Sequence, residues 1–252
     1  MHSRSLTLFP AFLAISAVSL AMAAPSQAAT LVLVASEDTS ISENTPTVAL
    51  GGDLDVPIGT TSTGTNGQDA RGLFKFDLAG QIPGGATIDS VTLTLSVVRQ
   101  STSPASSTYG FHRMQQSWNP SATTWNTRVA GTPWTTPGAQ DAIPSAYAAA
   151  SSGTTPVIAS VGTFTTTSTA ALVADVQGWV DAPSSNLGWM LISDSEGILG
   201  SARRFAMSEY GTPSSRPQLT VNYTVPEPGT TFSLLGGAAM LLHMRRRRER
   251  RA

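Results

Sequence analysis

The stretch Val91-Thr92-Leu93-Thr94-Leu95-Ser96-Val97 decides the fold class. Every odd position is apolar and every even position carries a hydroxyl. That period of two lays one face of a strand on a core and the other in water. The same alternation recurs on either side. Arg71-Gly72-Leu73-Phe74-Lys75-Phe76-Asp77-Leu78 sets Phe74, Phe76 and Leu78 opposite Arg71, Lys75 and Asp77, while Leu219, Val221 and Tyr223 alternate with Thr220 and Asn222. Further strands are expected at 31–35, 54–58, 109–114, 157–164, 188–193 and 203–208, separated by turn chemistry such as Ile82-Pro83-Gly84-Gly85 and Thr136-Pro137-Gly138. Leu172, Val176, Trp179 and Val180 instead fall at i, i+4, i+7 and i+8, the stripe of a short amphipathic helix. Ser168 or Thr169 would cap it, and Ala182-Pro183 would end it. Ala139–Pro156 is poor in large apolar residues and is expected to be a long loop. Many short strands with one helix predict an all-β protein, an antiparallel β-sandwich of jelly-roll type.

Composition narrows the function. The 252 residues contain no cysteine, three histidines, and only 15 basic and 16 acidic side chains, 12% charged against about 25% in ordinary soluble domains. Serine (31) and threonine (32) together make a quarter of the chain. A disulfide framework and a thiolate zinc site are excluded. Nucleic-acid binding is not expected, because no broad basic face can be assembled. The charge is unevenly placed. Six arginines crowd the last eight positions, whereas Thr30–Thr224 holds 8 basic and 14 acidic residues, a net of −6.

The two ends read as processing signals. Residues 1–29 have the parts of a secretory signal peptide: Arg4, an apolar run over Leu6–Leu20, and small residues that offer a cut after Ala23 or after Ala28. Residues 225–252 begin Val225-Pro226-Glu227-Pro228-Gly229, continue as a short apolar run to Met244, and end in arginines that include Arg245, Arg246, Arg247 and Arg248. The run is shorter than the ~20 residues of a full membrane helix, and arginine snorkelling would extend it. By the positive-inside rule the arginines would remain cytoplasmic. This order of elements resembles the PEP-CTERM sorting signal of Gram-negative bacteria. The resemblance implies a precursor held transiently in the inner membrane by its C-terminal hydrophobic sorting helix. It also implies recognition by an exosortase, cleavage near Pro226-Glu227-Pro228, and delivery to the cell surface or extracellular matrix.

The body, residues 30–224, carries several short motifs in order. The Arg71–Asp77 strand is followed by Ile82-Pro83-Gly84-Gly85-Ala86-Thr87-Ile88 and then by Trp118 with Thr124-Trp125-Asn126. Next come Asp175-Val176-Gln177-Gly178-Trp179-Val180 and Asn186-Leu187-Gly188-Trp189. Phe205, Ser208-Glu209 and Arg216-Pro217 precede the last strand. Together these resemble the DNRLRE domain, which overlaps the family-96 carbohydrate-binding modules. The resemblance implies a β-sandwich that in some relatives binds polysaccharides such as alginate and in others serves as a surface module.

The candidate site residues follow from chemistry. No Gly-x-Ser-x-Gly, His-Glu-x-x-His or phosphate loop is present, and the body's one histidine, His112, sits in a strand pattern, so an enzyme is not expected. Sugar binding needs exposed rings. Trp179 and Trp189 fall on core stripes and Trp118 and Trp125 are expected to pack a loop, which leaves Trp134, between Pro133 and Pro137, as the expected platform, with Tyr147 and Tyr210 behind it. Arg203, Arg204 and Arg113 are candidates to meet carboxylates of an acidic polysaccharide by bidentate pairing. Asp38, Asp53 and Asp55, near Glu37, are candidate oxygen ligands for a structural Ca²⁺; no other cofactor is expected. The expected function is an exported protein that binds or organises exopolysaccharide. The alternative is a structural envelope or biofilm protein without a glycan ligand.

Overall fold

Val91–Val97 is the middle of a 14-residue strand, Thr87–Gln100, on which half the sandwich is laid. The structure, a computed structural model, describes residues 26–62, 67–101, 104–140 and 145–226. Of the expected leader (1–29) and sorting tail (225–252), residues 1–25 and 227–252, with the hydrophobic helix, lie outside the described residues, whereas 26–29 and 225–226 belong to strands. In chain order the strands are β1 Ser26–Val34, β2 Glu37–Ser42, β3 Asp55–Thr60, β4 Asp69–Lys75, β5 Thr87–Gln100, β6 Tyr109–Arg113, β7 Thr127–Val129, β8 Thr132–Pro133, β9 Gly153–Thr154 and β10 Gly162–Thr165. Helix α1 Ala170–Asp181 follows, and then β11 Trp189–Ser193, β12 Arg203–Ala206 and β13 Gln218–Pro226.

All pairings are antiparallel, and apart from the short β7–β8 ladder they form two sheets. In sheet A, Val97 pairs with both Phe205 and Gly162, and Thr94 with both Gln218 and Thr165. A strand residue has one neighbour on each side, so β12 and β13 succeed each other along one edge of β5 while β10 lines the other. β1 then flanks β13 and β3 flanks β12. Ser26 is opposite Pro226, so the first and last residues of this unit sit side by side. Beyond β10, side chains complete the second edge of β5: Thr166 Oγ1, Ser168 Oγ and Gln177 Oε1 accept the N–H groups of Leu93, Val91 and Ile88. Sheet B runs β2–β4–β11–β6–β9. Strand β3 turns the corner between the sheets, because Val56 pairs with β12 whereas Gly59 pairs with Ala70 of β4. The turn needs glycine: Gly59 has φ +107°, and a Cβ there would lie 2.9 Å from Ala202 Cα.

Between the sheets the predicted apolar faces meet. Phe74, Phe76, Phe111 and Trp189 from sheet B pack against Leu93, Leu95, Phe205 and Val221 from sheet A, all buried. Helix α1 closes one end, with Thr169 as its cap accepting from the Leu172 N–H, as expected from the sequence. Its stripe delivers Leu172, Val176 and Trp179 to the core, and Trp179 meets Trp189 edge-on at 4.4 Å.

The far side of sheet B is also buried. Ile41, Leu73 and Met190 are covered by Met114, Trp118, Trp125, Trp134, Ala139 and Ala146 from the loops of 114–147. The Trp118 and Trp134 indoles donate to Leu187 O and Thr124 O. Arg71 pins this cap. Its guanidinium, on the outer face of β4, donates to both carboxylate oxygens of Glu196 (2.7 and 2.6 Å) and to Gly138 O (2.8 Å), and it lies 5.9 Å from the Trp125 ring centroid. Gly138 itself has φ +80°, and a Cβ there would press into the Trp125 ring at 2.6 Å. Strand β2 lies between cap and core, which accounts for burial of the polar run Glu37-Asp38-Thr39-Ser40-Ile41-Ser42. Ser40 Oγ donates to Pro57 O and so ties this edge to sheet A.

Replacing Arg71 strands the Glu196 carboxylate and the Gly138 carbonyl in a half-dry site, a loss of about 3 kcal/mol or more. Arg71→Ala is expected to lower the urea midpoint accordingly and to expose 115–140 to limited proteolysis while the rest of the sandwich stays protected.

Candidate functional site

An open cleft of about 460 Å³ lies at the end of sheet A, where β3 and β5 finish and β12 begins. Its lining includes Ser42, Asn44, Pro57, Thr61, Gln100 and Ala202, together with Arg99 and Arg204. A β-bulge brings the two arginines together. Register shifts between Arg204 and Phe205, so that Val98 and Arg99 together face one residue of β12. Strict alternation from the buried Val97 would turn Arg99 inward; the extra residue re-aims it outward beside Arg204.

Asp55 holds both arginines. Arg99 Nη2 donates to its two carboxylate oxygens at 2.7 and 2.9 Å, and Arg204 donates from Nε to Oδ1 and from Nη2 to the Asp55 carbonyl (2.5 Å). Burial pushes the Asp55 carboxyl up, but hydrogen bonds and charge from Arg204 and Arg99 outweigh it and hold the group below its ordinary value. Two cations on one carboxylate leave one net positive charge in a domain of net −6. The Arg99 side chain is 62% exposed, and among the described residues only its Nη2 is engaged, which leaves Nε and Nη1 for a ligand.

Arg203, adjacent in sequence, is fully buried and meets no carboxylate among the described residues. Its Nη1 donates to the carbonyls of Gly200, Ser201 and Ala202, and its Nη2 to those of Ala105 and Ile158. The expectation that it meets a polymer is therefore corrected: it fixes the Gly200–Ala202 wall of the cleft from behind.

The other expected site residues lie apart from this cleft. Trp134 is 3% exposed and sits in the cap, so it offers no platform; Pro133 pairs with Thr127 and folds the segment onto sheet B. Tyr147 is half-buried, packs edge-on to His112 at 5.4 Å and bridges to Met114. Tyr210 is half-buried in a turn where its carbonyl accepts from Arg216 Nε. Arg113 pairs with Asp175 at 3.5 Å. Asp38, Asp53 and Asp55 do not converge, and no group of three acidic or histidine side chains suited to a metal occurs among the described residues. Asp53 is exposed, Asp55 is bound to arginines, and Asp38 accepts from the Ser208 N–H (2.8 Å) and lies 3.0 Å from its Oγ. Pro226 ends β13 exposed, while Glu227, Pro228 and Arg245–Arg248 lie outside the described residues.

With the geometry in hand, the chain compares with known families as follows. The sequence model of carbohydrate-binding module family 96 matches residues 29–143, and that of the PEP-CTERM protein-sorting motif matches residues 224–248. The chain is similar to family 96 over that stretch and to the PEP-CTERM motif at its tail. No curated protein matches it. The family-96 segment supplies Asn44, Pro57, Arg99 and Gln100 to the cleft, whereas Arg204 comes from beyond it. β11, which lies between β4 and β6 in sheet B, also comes from beyond the segment, so the matched stretch completes its sheet only with the rest of the chain. The PEP-CTERM motif begins within β13 and implies an exported, exosortase-processed protein at the cell envelope. Neither match is to a catalytic family.

Two expected outcomes test these placements. Trp134→Ala would empty a ring-sized volume in the cap and cost about 3–5 kcal/mol, read by urea unfolding. Asp38 responds to pH. Burial raises its carboxyl from 3.8 to about 7, against hydrogen bonds from Ser208 and with Glu209 adding to the rise. Between those values the folded chain keeps a proton that the unfolded chain has released. Its stabilisation is complete below about pH 4 and is lost as pH rises to about 7. The melting temperature is expected to climb on acidification from pH 8 to pH 5, and Asp38→Asn to flatten that climb.

Proposed function

We propose that this protein is a non-catalytic, exported polysaccharide-binding protein. It is held as a precursor in the inner membrane of a Gram-negative bacterium and released to the cell surface or matrix by an exosortase acting near Pro226-Glu227-Pro228. The observation that carries the binding role is the cleft. It has the size of a small-ligand site, hydroxyl and amide walls, and an exposed guanidinium oriented by Asp55 with donors to spare. A planar fork of N–H donors suits the carboxylate of a uronic-acid unit, and hydroxyls and amides suit its ring oxygens. The family-96 match over residues 29–143 supports the same ligand class, and the PEP-CTERM match supports the route.

Affinity electrophoresis of the full chain on neutral and uronate-rich polysaccharides tests this. Retardation is expected on a uronate polymer and weakens with added salt, because the attraction acts across partly exposed charges. Arg99→Ala, a change at an exposed side chain, is expected to weaken it about tenfold, the worth of one charged hydrogen bond. A folded chain that no polysaccharide retards would overturn the reading.

A further inference from the structure

The two faces of the sandwich are finished differently. Sheet B is capped on its outer side; among the described residues no such cap covers the outer face of sheet A, whose rows, exposed or half-buried except at Ser96, begin at the cleft. Outward-facing residues there come from four strands. Thr30 Oγ1 donates to Asn222 Oδ1 (2.6 Å), whose Nδ2 donates to Ser90 Oγ (2.8 Å), a rung across β1, β13 and β5. Val32, Thr220 and Thr92 form the next rung by register. Thr94 and Ser96 of β5 meet Thr165 and Thr163 of β10 through their hydroxyls at 2.9 and 3.0 Å. The rows then reach Val98 and, across the bulge, Arg99 and Arg204 on the cleft wall.

Three properties distinguish this surface. The strand segments 30–34, 90–98, 163–165 and 218–222 contain no charged residue at all, in a domain whose net charge is −6. Hydroxyls bonded in pairs are held in place yet keep capacity, since each has one donor and two acceptor positions and a pair uses only one donor and one acceptor. Val32 and Val34, 54% and 42% exposed, add apolar patches between the hydroxyl rows. From Ser90 to Arg99 the acid-free lane is roughly 30 Å long at the usual rise of a strand.

The geometry points to a second stretch of binding surface. We infer that the outer face of sheet A continues the cleft, and that an extended polysaccharide chain lies along it, gripped by charge at Arg99 and by hydroxyls, amides and valines thereafter. This rests on the cleft being the glycan site. The absence of acids along the lane suits a polyanion, which the rest of the domain repels. A chain of sugars also presents what the face presents, alternating hydroxyl edges and apolar ring faces.

The test is length dependence. Calorimetric titration of the full chain with oligouronates from dimer to dodecamer is expected to show affinity that keeps rising after the cleft is filled. Thr92→Val with Thr220→Val removes two hydroxyls at strand positions that favour valine, so the fold is retained and its melting temperature verifies this. The pair is expected to weaken the dodecamer about fivefold and leave the dimer unchanged. An affinity that levels off at the shortest oligomers that bind, with the double variant neutral, would overturn the lane while leaving the cleft standing. Failure of every length to bind would overturn the cleft reading and the lane with it.

Discussion

The bidentate contact of Arg71 with Glu196 lets sheet B be buried on both sides. A sandwich needs one apolar face per sheet, yet β4 has two. Phe74, with Phe76 just past the end of the strand, serves the inner core, while Leu73, on the opposite face, joins Ile41 and Met190 under the tryptophan-rich cap. A cap of loops whose pairing, among the described residues, is the short β7–β8 ladder and the Met114–Tyr147 bridge needs fixed points. The guanidinium supplies one by reaching the Glu196 carboxylate, the Gly138 carbonyl and the Trp125 ring together. With sheet B closed, the open strand face is the one on sheet A, where the cleft lies.

How far the residues alone foretold this depends on period. Val91–Val97, Phe74–Leu78 and Leu219–Tyr223 alternate so regularly that one face must be buried, and the helical stripe of Leu172, Val176 and Trp179 is as plain. These elements needed no partner to be read. Strand β2 was hidden because its side chains are polar; they are buried by being hydrogen-bonded across to Pro57 and Ser208, partners remote in sequence. Trp134 was misplaced for a related reason. Flanking prolines mark a loop, but they do not say whether that loop stands in water or lies on a sheet.

The cleft was legible only in fragments. Arg204 belonged to the expected set, but its neighbour Arg203 was equally eligible by type, and only the β12 backbone decides which of the two turns outward. Arg99 had a faint signal: the alternation of β5 breaks at Val97-Val98, the doubled apolar residue that accompanies the bulge. Asp55 looked like a calcium ligand in isolation. Between two guanidinium groups its chemistry inverts, from a cation trap to a counter-ion that orients cations for something else.

The register of β13 on β5 has a mechanical meaning. Pro226 lies at one end of that pairing, and Arg99 and Arg204 lie at the other. A tension applied between a polymer held at the cleft and the chain where it leaves β13 runs along the strands. It therefore loads the perpendicular hydrogen bonds of β13 and β5 together, in shear. Tension between Ser26 and Pro226, which are opposite each other, would instead part β1 from β13 one pair at a time. The fold is strong along the line from the cleft to the start of the sorting motif and weak between Ser26 and Pro226.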